Sequence, residues 1–296
     1  MLVFVMRIFM LGATGTIGRA TLAELRTRGH EVSCFGRSAG DVTDAASTDR
    51  DGFRGQRFDA VLSCMASRTD LPRDAWAIDQ RAHSLVLAAA RKHGVKHFVL
   101  LSAICVQKSR QAFQQTKLAF EAELIASGLT YSIVRATVYF KSLSGQVARV
   151  QKGKPSLVFG NGCLTACKPI SDQDLARYLA NCLEDSRLQN AILPIGEPGL
   201  AMTPREQGEA LFQFLGRPPK FRHVPLRLLD PIIFVLSVLS LKDKAELARI
   251  GRYYATESML VWNGAVNTYD ADAMPSFGSD TLQQFQAKLI NQRRFV

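Results

Sequence analysis

A chain of 296 residues, 47% of them hydrophobic, is long enough to bury one large core or two small ones, and this composition excludes a disordered or fibrous protein. Lys and Arg number 37 against 26 Asp and Glu, a net charge of +11, which favours anionic partners without choosing among nucleotides, carboxylated ligands, lipids and nucleic acid. The longest apolar run, residues 231–241, falls well short of the roughly 20 residues that span a bilayer, so no transmembrane helix is expected.

The N-terminal stretch MLVFVMRIFML is apolar, yet Arg7 interrupts it and no basic segment precedes it. It runs into a glycine loop instead of a small-residue cleavage site, so residues 3–11 read as a buried strand, with no signal or transit peptide expected. The loop is Gly12-Ala13-Thr14-Gly15-Thr16-Ile17-Gly18. Glycines at this spacing, between a first strand and a first helix, let the backbone turn tightly and approach a pyrophosphate whose charge the helix N-terminus then meets. Gly12, Thr14, Gly15, Thr16, Ile17 and Gly18 are therefore the expected dinucleotide-binding residues.

The spacing predicts a helix over residues 16–28, with Ile17, Thr21, Leu22 and Leu25 on one face and Gly29 just past its end. A second strand follows over 31–35 and ends in Phe35-Gly36-Arg37-Ser38. Sites that take NAD place an acidic residue there for the ribose hydroxyls, whereas a guanidinium can pair with a 2′-phosphate, so Arg37 points to NADPH. Arg19 could share that phosphate or be a solvated helix residue. Strands over 58–64, 97–101 and 131–134 alternate with helices over 73–92 and 111–127. This order predicts an α/β fold with a doubly wound, Rossmann-like parallel sheet.

Six cysteines lie in mostly apolar stretches with no CxxC pair, and read as reduced, buried thiols. His93 and His97 are four apart, but Gly94 between them marks a helix end, so no metal site is expected. In the second half, Thr203-Pro204-Arg205-Glu206 has the capping-box pattern, Ser171-Asp172-Gln173-Asp174 offers a cap ahead of 175–183, and Asp230-Pro231 can start an apolar helix. The expected division is a nucleotide-binding domain over 1–160 and a smaller C-terminal substrate lobe over 161–296 that partly rejoins the sheet.

The glycine spacing, the run 97–102 and the segment Ile192-Leu193-Pro194-Ile195-Gly196 resemble the extended and atypical short-chain dehydrogenase/reductases. That superfamily works with a Ser and a Tyr-x-x-x-Lys pair, and the matching stretch here is Phe113-Gln114-Gln115-Thr116-Lys117. The phenol that handles a carbonyl or alcohol oxygen is absent, and Ala103 lies near the place of the Ser. Lys117 is retained and is the expected catalytic residue, either donating a proton or fixing the nicotinamide ribose. The same resemblance puts Ser102, at the end of the fourth strand, among the cofactor-binding residues.

More specific segments resemble one atypical branch, the divinyl chlorophyllide 8-vinyl reductases: GATGTIGR at 12–19, HFVLLSAICVQK at 97–108, FQQTKLAFE at 113–121, SIVRATVYFKSLS at 132–144, LTACKPIS at 164–171 and AELARIGRYYATESMLVW at 245–262. The resemblance implies reduction by NADPH of the 8-vinyl group of a divinyl chlorophyllide or protochlorophyllide to ethyl. That reaction needs no phenol. It further implies no nucleic-acid partner and a cytoplasmic location, with peripheral contact to a pigment-bearing membrane left open, as is the oligomeric state. Candidates for an apolar pigment wall are Phe140, Phe159 and the run 231–241, with Lys141, Lys168, Arg222 and His223 for a propionate. The competing readings are a dinucleotide-binding regulator, an assembly subunit without turnover, and a reductase of another conjugated alkene.

Overall fold

In the computed structural model, which describes residues 5–292, short apolar strands alternate with helices to build a sheet in the order β2-β1-β3-β4-β5, followed by strand Ala191–Ile195. The named strands are β1 (Arg7–Leu11), β2 (Glu31–Phe35), β3 (Ala60–Ser63), β4 (His97–Ala103) and β5 (Thr130–Ala136), and all four ladders joining them are parallel. Val3 and Phe4 of the expected first strand lie outside the described residues. Every residue of β3 is buried, as a strand covered on both faces requires.

The helices that accompany this sheet include two packed pairs, α1 (Thr16–Thr27) with Asp172–Glu184, and the run Pro72–Lys92 with Ala112–Ala126. The chain crosses from β2 to β3 through the helical turns Ala45–Ser47 and Thr48–Phe53. Phe53 of that crossover stacks on Phe9 of β1 with ring centres 4.3 Å apart, and Phe35 and Phe58 close the aromatic cluster beside it. Strand order reverses direction between β1 and β3, and a ligand crevice opens at the carboxyl ends of the strands at such a switch point.

The chain divides into two compact units. The first runs through Ala136 and regains Asp172–Pro194; the second holds Thr137–Ser171 and the chain from Ile195 onward. The position 160 expected as a boundary thus falls inside the first segment of the second unit. That unit has its own apolar cluster of Val147, Val150, Leu211, Phe212 and Ile290. Helix Pro204–Phe214 starts at the expected capping box, with Glu206 N–H donating to Thr203 Oγ1 and Thr203 N–H to the Glu206 carboxylate at 2.7 Å.

Two expectations need correction. The apolar helix runs over Leu229–Val238 and is entered from the turn Leu226–Leu228, so Asp230 is inside it and pairs with Arg252 at 2.6 Å instead of capping. Pro231 is tolerated because the first helical turn needs no intrahelical N–H bond. Two of the six cysteines are exposed, Cys163 and Cys34, the latter because β2 is an edge strand; Cys64 is intermediate as a residue, but burial of its thiol pushes its pKa up to about 12.

Candidate active site

The glycine loop closes against the strand ends at the switch point. Gly12 has φ +73°, and a Cβ there would lie 2.5 Å from the backbone of Cys64 and Met65, just past β3. At Gly18 a Cβ would lie 2.0 Å from the Gly12 carbonyl oxygen, so both positions require glycine for the loop itself. Gly15 differs: a Cβ there meets only the Gly12 carbonyl oxygen at 3.4 Å, an ordinary contact, and its outer side is open. Gly15 is also the N-cap residue just before α1, no side chain caps that end, and the first turn carries no acidic residue.

A bare helix N-terminus beside a glycine cradle is the arrangement an anionic pyrophosphate needs, so the loop fits a dinucleotide. Thr14 is exposed at the loop tip, and Ile17 is buried beneath it, anchoring α1 to the core. Arg37 follows the end of β2 and is exposed, as a partner for a ribose phosphate must be.

Met65, whose backbone lies against the loop, also lines a small, narrow cleft with Asp79, His83, Leu100, Leu101, Ser102, Lys117 and Phe120. All come from elements of the first unit. Lys117 projects from Ala112–Ala126, and its ammonium donates to Asp79 Oδ1 at 2.8 Å; the Lys side chain is 13% exposed and the Asp 1%. Asp79 comes from Trp76–Ala82, a wider, π-type turn within the long helical run. Its Oδ1 also accepts from Ser67 N–H, while its Oδ2 is buried with no hydrogen-bond partner. A second acid, Asp70, lies within the field of Lys117; burial raises its pKa and the ammonium opposes that rise.

His83 completes the floor. Its Nδ1 faces the Ile78 carbonyl at 2.9 Å and its Nε2 the Ser63 hydroxyl at 2.8 Å, and burial pushes its pKa down to about 4. A carbonyl can only accept, so Nδ1 carries the proton and Nε2 accepts from Ser63. The ring is neutral and fixed, and it lies against Phe120 at 4.8 Å between centres. Ser102, also in the lining, donates to Glu121 at 2.5 Å, and Arg135 forks onto the same carboxylate. With its proton engaged, the Ser102 hydroxyl still has lone pairs to offer.

The structure therefore brings Ser102 and Lys117 into one cleft, joined through Met65 to the loop that holds Gly12, Gly15 and Gly18. Phe113, one turn before Lys117, is buried at 2% exposure. Asp79, Asp70, His83, Glu121 and Arg135 escaped the sequence reading. Asp79 is 38 residues from Lys117, with no motif linking the two. The histidines considered for a metal are engaged apart from each other, His93 with Asp49 and His97 with Ser132.

The matching family model is described as NAD(P)H-binding and covers residues 12–186, which include the loop and the whole cleft. Among curated proteins, the divinyl chlorophyllide a 8-vinyl-reductase, chloroplastic, of Oryza sativa subsp. indica is 45% identical over 96% of this chain and 78% of its own length. The protein of the same name from Arabidopsis thaliana is 44% identical over 96% of this chain and 77% of its own. The chain belongs to the divinyl chlorophyllide a 8-vinyl-reductase family. Among solved structures, dTDP-4-dehydrorhamnose reductase of Bacillus anthracis in complex with NADP superposes with TM-score 0.67 at 15% identity over 98% of this chain and 99% of that one, a likeness of fold.

Proposed function

We propose that this protein reduces the 8-vinyl group of a divinyl chlorophyllide or protochlorophyllide to ethyl, with NADPH as reductant. The observation that carries the reading is the 44–45% identity, over 96% of the chain, to reductases so named. The cleft supports it, because it offers a held ammonium and apolar walls, and none of the residues lining it carries a phenol. NADPH would be held by the loop from Gly12 to Gly18 and by Arg37, and when bound it supplies the hydride.

Reducing a conjugated C=C also needs one proton and a fixed geometry. Lys117 supplies the proton from Nζ, or alternatively fixes the nicotinamide ribose; Asp79 holds that ammonium in place. After donation, the exposed edge of Lys117 allows water to restore the proton. Met65, Leu100, Leu101 and Phe120 limit water beside it, which strengthens the field of the ammonium. We assign substrate recognition to the second unit, which contains the family-like segments 164–171 and 245–262 and most of 132–144.

Arg37 favours NADPH over NADH by pairing with the 2′-phosphate. Among the described residues no helix is long and apolar enough to cross a membrane, and we propose that pigment is met by peripheral contact. The deciding experiment incubates purified protein with NADPH and divinyl chlorophyllide and resolves the pigments by chromatography. A monovinyl product with a blue-shifted Soret band is expected. NADPH binding with no product would support a regulator or assembly subunit instead, and turnover of a phenylpropanoid but no pigment would move the substrate class.

A further inference from the structure

Helix Leu229–Val238 has no buried residue, although its sequence LDPIIFVLSV is almost wholly apolar. Phe234 is 68% exposed, Val238 66% and Leu239 62%. At about 100° per residue, the exposed positions 228, 232, 235 and 239 form one stripe along the helix and its caps and 234 and 238 form the next, with exposed Leu241 following the turn at Ser240. Together they cover about half the helix circumference. The remaining side, with Leu229, Ile233 and Leu236 partly covered, is turned toward Lys242–Thr256, against which the helix packs.

The border of this apolar arc is basic. Exposed Arg227 lies in the turn that enters the helix, and exposed Lys242 and Lys244 open the helix that packs against it. Of the three carboxylates between positions 217 and 252, Asp230 is paired with Arg252 at 2.6 Å and Glu246 with Arg249 at 3.0 Å, which leaves Asp243 beside the lysines. Monomeric proteins rarely leave a contiguous apolar surface of this kind open.

We propose that residues 228–241 form an interfacial anchor that docks on a bilayer containing anionic lipid. The apolar arc enters the acyl boundary and the flanking cations meet the lipid phosphates. At 1.5 Å per residue the ten-residue helix is about 15 Å long, so it lies on the membrane and does not cross it. The charge border selects lipid over a second copy of the chain, because a two-fold interface through this helix would bring two like-charged borders together. A convex helix face is also the wrong shape for a pigment pocket, which is concave. This names the surface for the peripheral contact proposed above, and it does not rest on the identity of the substrate.

The test is co-sedimentation of the full chain, without pigment, on vesicles of phosphatidylglycerol and phosphatidylcholine and on vesicles of phosphatidylcholine alone. Binding to the anionic vesicles and little binding to the neutral ones is expected. Phe234→Asp with Val238→Asp should lower partitioning at least ~10-fold. Lys242→Gln with Lys244→Gln should lower it about 30-fold, at about 1 kcal/mol for each cation near an anionic surface. NADPH affinity reports that each variant is folded. No vesicle binding by the unmodified chain, or equal binding by both variants, overturns the proposal. So does a dimer in sedimentation velocity that Val238→Asp dissociates while vesicle binding is unchanged, which would make a second copy the occupant. A raised pigment KM in Phe234→Asp with unchanged vesicle binding overturns it too, by making the helix a pigment wall.

Discussion

Replacing Asp79 by Asn keeps the shape of the side chain and removes one charge from a buried ion pair. The Lys117 ammonium, 13% exposed, then faces a neutral amide where a carboxylate oxygen stood 2.8 Å away. Removing one partner of a buried pair costs about 3–5 kcal/mol, and the partial access of water to Lys117 places this case near about 3 kcal/mol. That is roughly a 100-fold shift in the folded-to-unfolded ratio. Urea unfolding should show it as a lower midpoint with unchanged slope. Single-turnover product formation should fall at least ~30-fold, since a loosened ammonium no longer stands where charge develops. The decisive assay is a double-mutant cycle with Lys117→Met. Removing both charges should recover about 2 kcal/mol relative to the sum of the single changes. Additivity within about 0.5 kcal/mol would refute the coupling, and with it the positioning role of Asp79. Unchanged NADPH affinity in Asp79→Asn would assign Lys117 to proton delivery, whereas a parallel loss of affinity would assign it to the nicotinamide ribose.

Lys117→Ala should lower turnover at least ~100-fold, the usual contribution of a positioned acid, and Phe113→Tyr should confer no carbonyl reduction; unchanged single-turnover product formation would make Lys117 a bystander. Arg37→Asp should erase a preference for NADPH over NADH worth about 1.5–3 kcal/mol, read by titration of both dinucleotides, and equal affinities in the unmodified chain would refute the assignment. Gly18→Ala should abolish dinucleotide binding by breaking the loop, since its Cβ would lie 2.0 Å from the Gly12 oxygen. Gly15→Val, at a position with room for a Cβ, should leave the fold intact and lose binding only because the side chain occupies the ligand's place; tight NADPH binding by both variants would reduce the loop to a turn. His83 and His97 are both pushed from 6.5 down to about 4 by burial, so the unfolded chain takes up their protons first. Their contribution is complete above about pH 6.5 and is lost as pH falls toward 4, on the order of 3 kcal/mol each. Urea midpoints measured from pH 7 to 4.5 should fall accordingly, and a flat profile would contradict the burial of neutral imidazoles.

Local chemistry made much of the fold legible. The loop at 12–18 and the capping box at Thr203 are each specified within a few residues, because a turn or a cap is satisfied by backbone groups close in sequence. The alternation of strand and helix patterns sufficed for a doubly wound sheet, with strand 31–35 placed to the residue. Lys117 could be singled out only because its neighbours resemble a family motif.

Long-range placement was decided by the tertiary structure alone. Asp79 and His83 sit in a helical run whose spacing gives no hint that two of its polar residues are buried beneath a lysine 38 positions away from Asp79. The same holds for Glu121, which has an ordinary helix position in sequence yet is closed in by Ser102 and Arg135. The run 231–241 shows the limit most directly. Its residues read as core or pocket wall, and the fold leaves most of them open. Apolar sequence fixes what a segment avoids, which is water, but only the packing of the whole chain fixes what covers it.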